Sequence, residues 1–287
     1  AYNNRGLIRY RSQLYSQAIA DFTRAIELNN DYGKAYGNRG LARYKIEEYT
    51  AAIADFTRAI ELNNKSDFVY NYRGLAQYKI GKYSAAIKDF DLAIKINSNY
   101  ADAYYNRGNA KYKLKDNSGA IQDYETTIKL NSNYIFAAYN LGIVFYESGE
   151  YQKAIDSFTT AIALNPNHAN IYNNRGNSYY KLGEYQKAIT DYSRAIELDK
   201  NYADFYYNRG IAHYQLGDYS AAIEDYTRAI ELDKNYTNAY YNRGLTLYKI
   251  NKKQSALNDW EILARLYQDR GKTDRYDEIN DLIKKYQ

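Results

Sequence analysis

The sequence contains no cysteine and only two histidines, His168 and His213. Disulfides, thiol nucleophiles and thiolate metal sites are therefore excluded, and a histidine-based zinc site nearly so. Proline occurs once, at Pro166, and methionine not at all. So few breakers leave room for long helices, and a composition 45% hydrophobic and 25% charged excludes a disordered or collagen-like chain. No run approaches the 18 apolar residues of a membrane-spanning helix, and the N-terminal AYNNRGLIRYRSQ has no apolar signal core. A chain that starts with Ala and lacks Met reads as a processed or excised piece, and its compartment stays open. The 39 Lys and Arg exceed the 34 Asp and Glu by a formal +5 over 287 residues. That excess is too dilute to announce a nucleic-acid or membrane binder.

What the chain has in abundance is tyrosine, 38 residues of it, arranged on a strict period. Gly6, Gly40, Gly74, Gly108, Gly142, Gly176, Gly210 and Gly244 stand 34 residues apart without insertion. Counting from this glycine, plus twelve is Ala in all eight copies (Ala18 to Ala256), and plus sixteen is aromatic: Phe22, Phe56, Phe90, Tyr124, Phe158, Tyr192, Tyr226 and Trp260. Apolar residues follow helical spacing in two blocks per period. Between the blocks, Gly81, Gly149, Gly183 and Gly217 suit a left-handed turn residue. Ser16, Thr50, Ser84, Ser118 and Ser220 stand where a cap for the second helix is expected. Asn29, Asn63, Asn97, Asn131, Asn165, Asp199 and Asp233 are expected to end that helix. Each period is thus a helical hairpin, and hairpins that cannot bury their own apolar face must stack into a superhelical solenoid with a concave inner face.

Arg precedes the glycine in seven copies (Arg5, Arg39, Arg73, Arg107, Arg175, Arg209, Arg243), and Asp stands at plus fifteen in the same seven (Asp21, Asp55, Asp89, Asp123, Asp191, Asp225, Asp259). Both fail together in the fifth copy, which has Leu141 and Ser157. Joint failure predicts an ion pair inside each repeat rather than a phosphate-binding ladder, because dropping one partner strands a buried charge.

With these residues in place, the chain resembles the tetratricopeptide repeat (TPR) family of 34-residue helix–turn–helix units. The Gly and Ala slots match throughout, Tyr2, Tyr36, Tyr70, Tyr104, Tyr172, Tyr206 and Tyr240 take the place of the family Trp, and Pro166 alone keeps the family Pro. Ala138 in the fifth copy, and Lys253 and Leu263 in the last, depart from the pattern. The resemblance implies an all-α, right-handed superhelical solenoid of eight repeats: 1-32, 33-66, 67-100, 101-134, 135-168, 169-202, 203-236 and 237-270. Residues 271-287 are expected to form a C-terminal solvating helix with Tyr276, Ile279, Leu282, Ile283 and Tyr286 as its apolar stripe. The first repeat is two residues short, which points to upstream repeats having been removed and to an open N-terminal face through which copies would assemble.

In the family, a first-helix face at minus six, minus three, plus one, plus four and plus five lines the ligand groove. Here plus four is Tyr in every repeat, including Tyr112, Tyr146 and Tyr180, and suits packing and binding equally. Minus three carries Tyr105, Tyr139, Tyr207 and Tyr241, with Asn173 among the alternatives. Tyr32, Tyr100, Tyr134, Tyr202 and Tyr236 close repeats beside the groove. Minus two is Asn in seven repeats, including Asn106, Asn140, Asn174 and Asn208, with Tyr72 the exception. An amide there serves either a ligand backbone or the neighbouring helix. Asn109 and Asn177 interrupt an aliphatic series at plus one, and Lys79, Lys113 and Lys181 belong to a row of six cations at plus five. Of the family's carboxylate clamp, which needs Lys at minus three and minus six and Asn at plus one and minus two, Asn109 with Asn140 and Asn177 with Asn208 match only the Asn half. Minus three holds Tyr105 and Asn173, so chaperone-tail binding is not expected.

The expectation is a non-catalytic scaffold that binds an extended, acidic or polar peptide, with no cofactor and no metal. Tyr supplies rigid area with a hydroxyl, and the cations steer acidic segments. Assembly through the N-terminal face is the alternative, and single-stranded RNA is less favoured.

Overall fold

The computed structural model describes residues 1–286 and contains 17 α-helices with no strand among them. Eight hairpins follow one another. They are α1 (Tyr2–Arg11) with α2 (Tyr15–Leu28), α3 (Gly33–Lys45) with α4 (Tyr49–Glu61), α5 (Asp67–Lys79) with α6 (Tyr83–Ile96), and α7 (Ala101–Lys113) with α8 (Asn117–Leu130). Then come α9 (Ile135–Glu147) with α10 (Tyr151–Leu164), α11 (Ala169–Lys181) with α12 (Tyr185–Leu198), α13 (Ala203–Gln215) with α14 (Tyr219–Leu232), and α15 (Thr237–Lys249) with α16 (Lys253–Asp269). A last helix, α17 (Thr273–Tyr286), packs on α16 and buries Ile279 and Ile283. The chain forms two compact units, Ala1–Val144 and a second that begins at Phe145. Within the units α2, α4, α6, α12 and α14 each pack on the first helix of their own hairpin and on that of the next.

The glycine and the plus-sixteen aromatic explain the hairpin. A Cβ on Gly108 would lie 2.8 Å from Tyr124 Cε1, and one on Gly74 would lie 2.7 Å from Phe90 Cε1. Only a bare Cα lets the ring lie flat against the first helix. The recurring alanines are sealed at the same crossing.

The turn departs in part from the expectation. Gly81, Gly149, Gly183 and Gly217 are left-handed, and Gln13, Glu47, Lys115 and Asn251 hold the same conformation at the equivalent place. The second helix then starts earlier than its serines. Ser16, Thr50, Ser84, Ser118 and Ser220 lie one residue inside the helix, and the cap positions are Leu14, Glu48, Lys82, Asp116 and Asp218. Of these five, only the two aspartates cap with a side chain, accepting from Gly119 and Ala221 backbone N–H. The left-handed residue reverses the chain so tightly that the next residue already takes the cap position, leaving the serines in the first turn. At the other end the expected stops hold at Asn29, Asn97, Asn131, Asn165, Asp199 and Asp233. Each is extended, and its side-chain oxygen accepts the backbone N–H two residues on. Asn63 differs: it turns left-handed, and Ser66 caps α5 instead.

The Arg to Asp pair forms in all seven repeats that carry it. Arg73 Nε and Nη2 donate to the two oxygens of Asp89 at 2.8 and 2.6 Å, the fork geometry that suits a carboxylate. Its remaining Nη1 reaches Thr57 in the preceding repeat at 3.2 Å, and its guanidinium lies over the Tyr70 ring. Arg39, Arg107, Arg175, Arg209 and Arg243 repeat this reach, to Thr23, Asp91, Thr159, Ser193 and Thr227. One side chain therefore ties two helices of its own hairpin to the hairpin before it.

Removing one partner leaves a buried charge. Arg73→Leu should cost about 3–5 kcal/mol in urea unfolding, whereas Arg73→Leu with Asp89→Ser, which copies Leu141 and Ser157, should recover most of it. A single substitution costing under about 1 kcal/mol would show the bridge to be a surface pair.

Candidate functional site

Each unit carries a cavity of about 220 Å³ on its first-helix face. In the first unit it is lined by Tyr78, Asn109, Tyr112, Lys113, Tyr124, Asn140, Ile143 and Val144. In the second it is lined by Tyr146, Asn177, Tyr180, Lys181, Tyr192, Asn208 and Ile211. Apart from Val144, the second set is the first displaced by two repeats, residue type for residue type. A further cavity of about 130 Å³ occupies the next register, but Ile211 and Gln215 stand where the others have Asn and Lys.

The chemistry of the two matching pockets starts from a buried tyrosine. Tyr124 is fully buried, and that desolvation pushes its phenol far above the ordinary range. It stays protonated, and its O–H donates to Asn109 Oδ1 at 2.8 Å. Asn140 Nδ2 donates to the same oxygen at 3.0 Å. With its oxygen doubly engaged, Asn109 offers its Nδ2 to the pocket as a donor. Tyr192, also sealed and pushed up by burial, donates in the same way to Asn177 Oδ1 at 2.8 Å. Sequence reading missed these two tyrosines as site residues. The signal was available: Asn at plus one occurs only where plus sixteen is Tyr, and all four Phe repeats carry Leu or Ile there.

The other predicted residues divide by what they touch. Lys79, Lys113 and Lys181 are exposed at the rim and make no ion pair among the described residues. Tyr146 and Tyr180 are half-buried, the first edge-on to Tyr151 and the second tilted against Tyr185, the tyrosines that open the second helices, with ring centroids 5.5 and 5.3 Å apart. The plus-four tyrosines are therefore packing residues with one exposed side. Tyr112, Tyr139 and Asn174 are half-buried on the same face.

The minus-two amides bond the neighbouring helix. Asn38 donates to Asn3, Asn106 to Asn71, Asn140 to Tyr105, Asn208 to Asn173 and Asn242 to Tyr207, at 2.9 to 3.2 Å. Each reaches the minus-three residue of the repeat before, so one amide proton is committed to stacking. This too was readable. The one repeat with Gly37 at minus three, which has no acceptor, is followed by Tyr72 where the others have Asn.

At the C-terminal end a cavity of about 420 Å³ is lined by Asn238, Tyr241, Tyr267, Arg275, Glu278, Ile279 and Leu282. Tyr286 of α17 lies 4.4 Å from the ring of Tyr248, the last plus-four tyrosine, which stays exposed.

Comparison with known proteins fits this geometry. A family profile described as TPR repeat matches residues 78–115, 144–183 and 176–217, and profiles described as tetratricopeptide repeat match 33–66, 101–134 and 203–236, and 1–32. No curated protein matches the sequence. Among solved structures the chain is similar to MamA, at 27% identity and TM-score 0.56 over 57% of this chain and 96% of that one. It is similar in fold to the C-terminal part of a TPR repeat-containing protein from Cytophaga hutchinsonii, at 24% identity and TM-score 0.71 over 79% and 93%. YrrB, titled a TPR protein with an unusual peptide-binding site, matches at 24% identity and TM-score 0.56 over 62% and 92%.

The Tyr124 to Asn109 bond makes a stability prediction. Asn109→Leu alone strands the buried hydroxyl and should cost about 1–3 kcal/mol, whereas adding Tyr124→Phe, the pairing of Leu41 with Phe56, should restore most of it. A double variant no more stable than the single one in chemical denaturation would contradict the bond.

Proposed function

Because the chain belongs to the tetratricopeptide repeat family, whose members serve as protein-interaction scaffolds, we propose that it is a non-catalytic module that binds an extended acidic or polar peptide along its first-helix face. The observation that carries this reading is the matched pair of pockets, each with an outward amide donor, a tyrosine wall and an unpaired lysine. A carboxamide Nδ2 and an ammonium are both donors, so the complementary ligand presents carbonyl or carboxylate oxygens. An extended polypeptide supplies such oxygens at regular intervals, and side-chain carboxylates add attraction to Lys79, Lys113 and Lys181. A distributed wall is sufficient: micromolar affinity needs about 8 kcal/mol net, after roughly 2–5 kcal/mol for ordering a flexible segment. Several contacts of about 1 kcal/mol each reach that sum.

The candidate contact residues are Lys79, Tyr105, Asn109, Tyr112, Lys113, Tyr139 and Asn140 in the first unit. In the second they are Tyr146, Asn173, Asn174, Asn177, Tyr180, Lys181, Tyr207 and Asn208. Asn106 contributes what its bond to Asn71 leaves over.

Selection of a displayed random peptide library on the folded protein should enrich extended acidic or polar sequences. Substituting Tyr105, Asn109 and Lys113 together by Ala should weaken a selected peptide about tenfold or more with unchanged helical circular dichroism. An unchanged Kd would refute this wall as the binding surface.

A further inference from the structure

The first-helix face carries carboxylates as well as lysines. The segments YADAYYNRG (residues 100–108) and YADFYYNRG (202–210) place Asp102 and Asp204 at minus six, one in each compact unit. Both aspartates are exposed, and each has one oxygen held by a tyrosine from the next repeat. Tyr134 donates its hydroxyl to Asp102 Oδ1 at 2.8 Å, and Tyr236 donates to Asp204 Oδ1. The second oxygen of each carboxylate has no partner among the described residues. The surroundings repeat as well. The Tyr134 ring lies 4.9 Å from that of Tyr105, whose hydroxyl accepts from Asn140, and the Tyr236 ring lies 5.1 Å from that of Tyr207, whose hydroxyl accepts from Asn242.

These aspartates differ from those that hold the hairpins together. Each plus-fifteen Asp is buried against an arginine fork, whereas Asp102 and Asp204 meet only phenols. A phenol hydrogen bond leaves the carboxylate its full charge. Tyr134 and Tyr236 are pushed far above the ordinary phenol range, first by burial and then by that carboxylate, so the proton stays on the tyrosine. Nor does a lysine of the same helix neutralise the site. Lys111 is paired with Asp123, and Lys113 is eleven residues from Asp102 along α7, roughly 16 Å at 1.5 Å per residue, beyond the screening length of about 8–10 Å in physiological salt.

Resting on the peptide-groove reading, we infer that Asp102 with Tyr105 and Tyr134, and Asp204 with Tyr207 and Tyr236, are two equivalent subsites that each accept one Lys or Arg side chain of the bound segment. The unpaired carboxylate oxygen supplies the counter-charge, and the paired rings offer the negative faces that attract a cation. The occupant is thus a segment of mixed charge. In each unit a basic side chain lies at the N-terminal end of α7 or α13, and acidic ones lie toward Lys113 or Lys181.

The test uses small probes, so that it does not depend on finding the natural segment. The whole chain, labelled with ¹³C in its tyrosine rings, is titrated with N-acetyl-lysine methylamide and, separately, with the uncharged N-acetyl-norleucine methylamide. The lysine compound should shift the ring signals of Tyr134 and Tyr236, with dissociation constants that agree within about threefold. Asp102→Asn should weaken the response at Tyr134 by tenfold or more and leave Tyr236 alone, and Asp204→Asn should do the reverse. Asn keeps an acceptor for the tyrosine hydroxyl, so the fold is retained, and an unchanged circular dichroism spectrum checks this. Equal shifts with norleucine, shifts that survive both substitutions, or no shift at either ring would overturn the proposal. If it fails in this way while selected peptides still depend on Tyr105, Asn109 and Lys113, the peptide-groove reading stands without the cation subsites. A lysine response with no peptide dependence would instead remove that reading.

Discussion

The arginine fork beside the recurring glycine is the contact on which the rest of the architecture depends. A guanidinium has five donors in a fixed plane, and here three directions are used at once. Two N–H groups close the hairpin on Asp89 or its equivalents, a third reaches a hydroxyl or carboxylate of the preceding repeat, and the flat face covers a tyrosine. The missing glycine side chain makes this possible, because the plus-sixteen ring can then approach until the carboxylate beside it meets the arginine. The boundary between the two compact units falls in the one hairpin that has Leu141 and Ser157 instead of the pair.

That arrangement decides which polar groups are left for a ligand. The arginines are occupied, as are the buried aspartates, and one proton of the minus-two amides joins neighbouring helices. What remains on the first-helix face is a short set: the Nδ2 groups of Asn109 and Asn177, the rim lysines, the exposed edges of half-buried tyrosines, and the open oxygens of Asp102 and Asp204. Apart from the rim lysines, each belongs to a group held by a neighbour, so little side-chain freedom is lost there when a ligand docks.

Much of this was legible in the sequence, and what was not has a physical reason. The period, the hairpins and the Arg to Asp pairing could be read because both partners lie within one repeat and fail together at Leu141 and Ser157. The helix caps were misread because the left-handed residue, glycine or not, reverses the chain so tightly that the next residue already takes the cap position, so the serines nearby seemed to mark the start. Partners that cross between repeats were harder to see. The amide of Asn106 and the hydroxyl of Tyr134 find acceptors 35 and 32 residues away, separations that no helix periodicity reveals. Asp102 carries no motif in the sequence that marks it as a site residue; only the fold places two rings beside it.

The central claim is that Asn109 and Asn177 are held with their donors outward to receive a polypeptide. The most direct measurement is the ¹⁵N spectrum of the side-chain amides during titration with a peptide selected on the folded protein. The account predicts that the Nδ2 signals of Asn109 and Asn177 shift while that of Asn38, committed to Asn3, stays in place. A bound peptide that leaves Asn109 and Asn177 unmoved would contradict it.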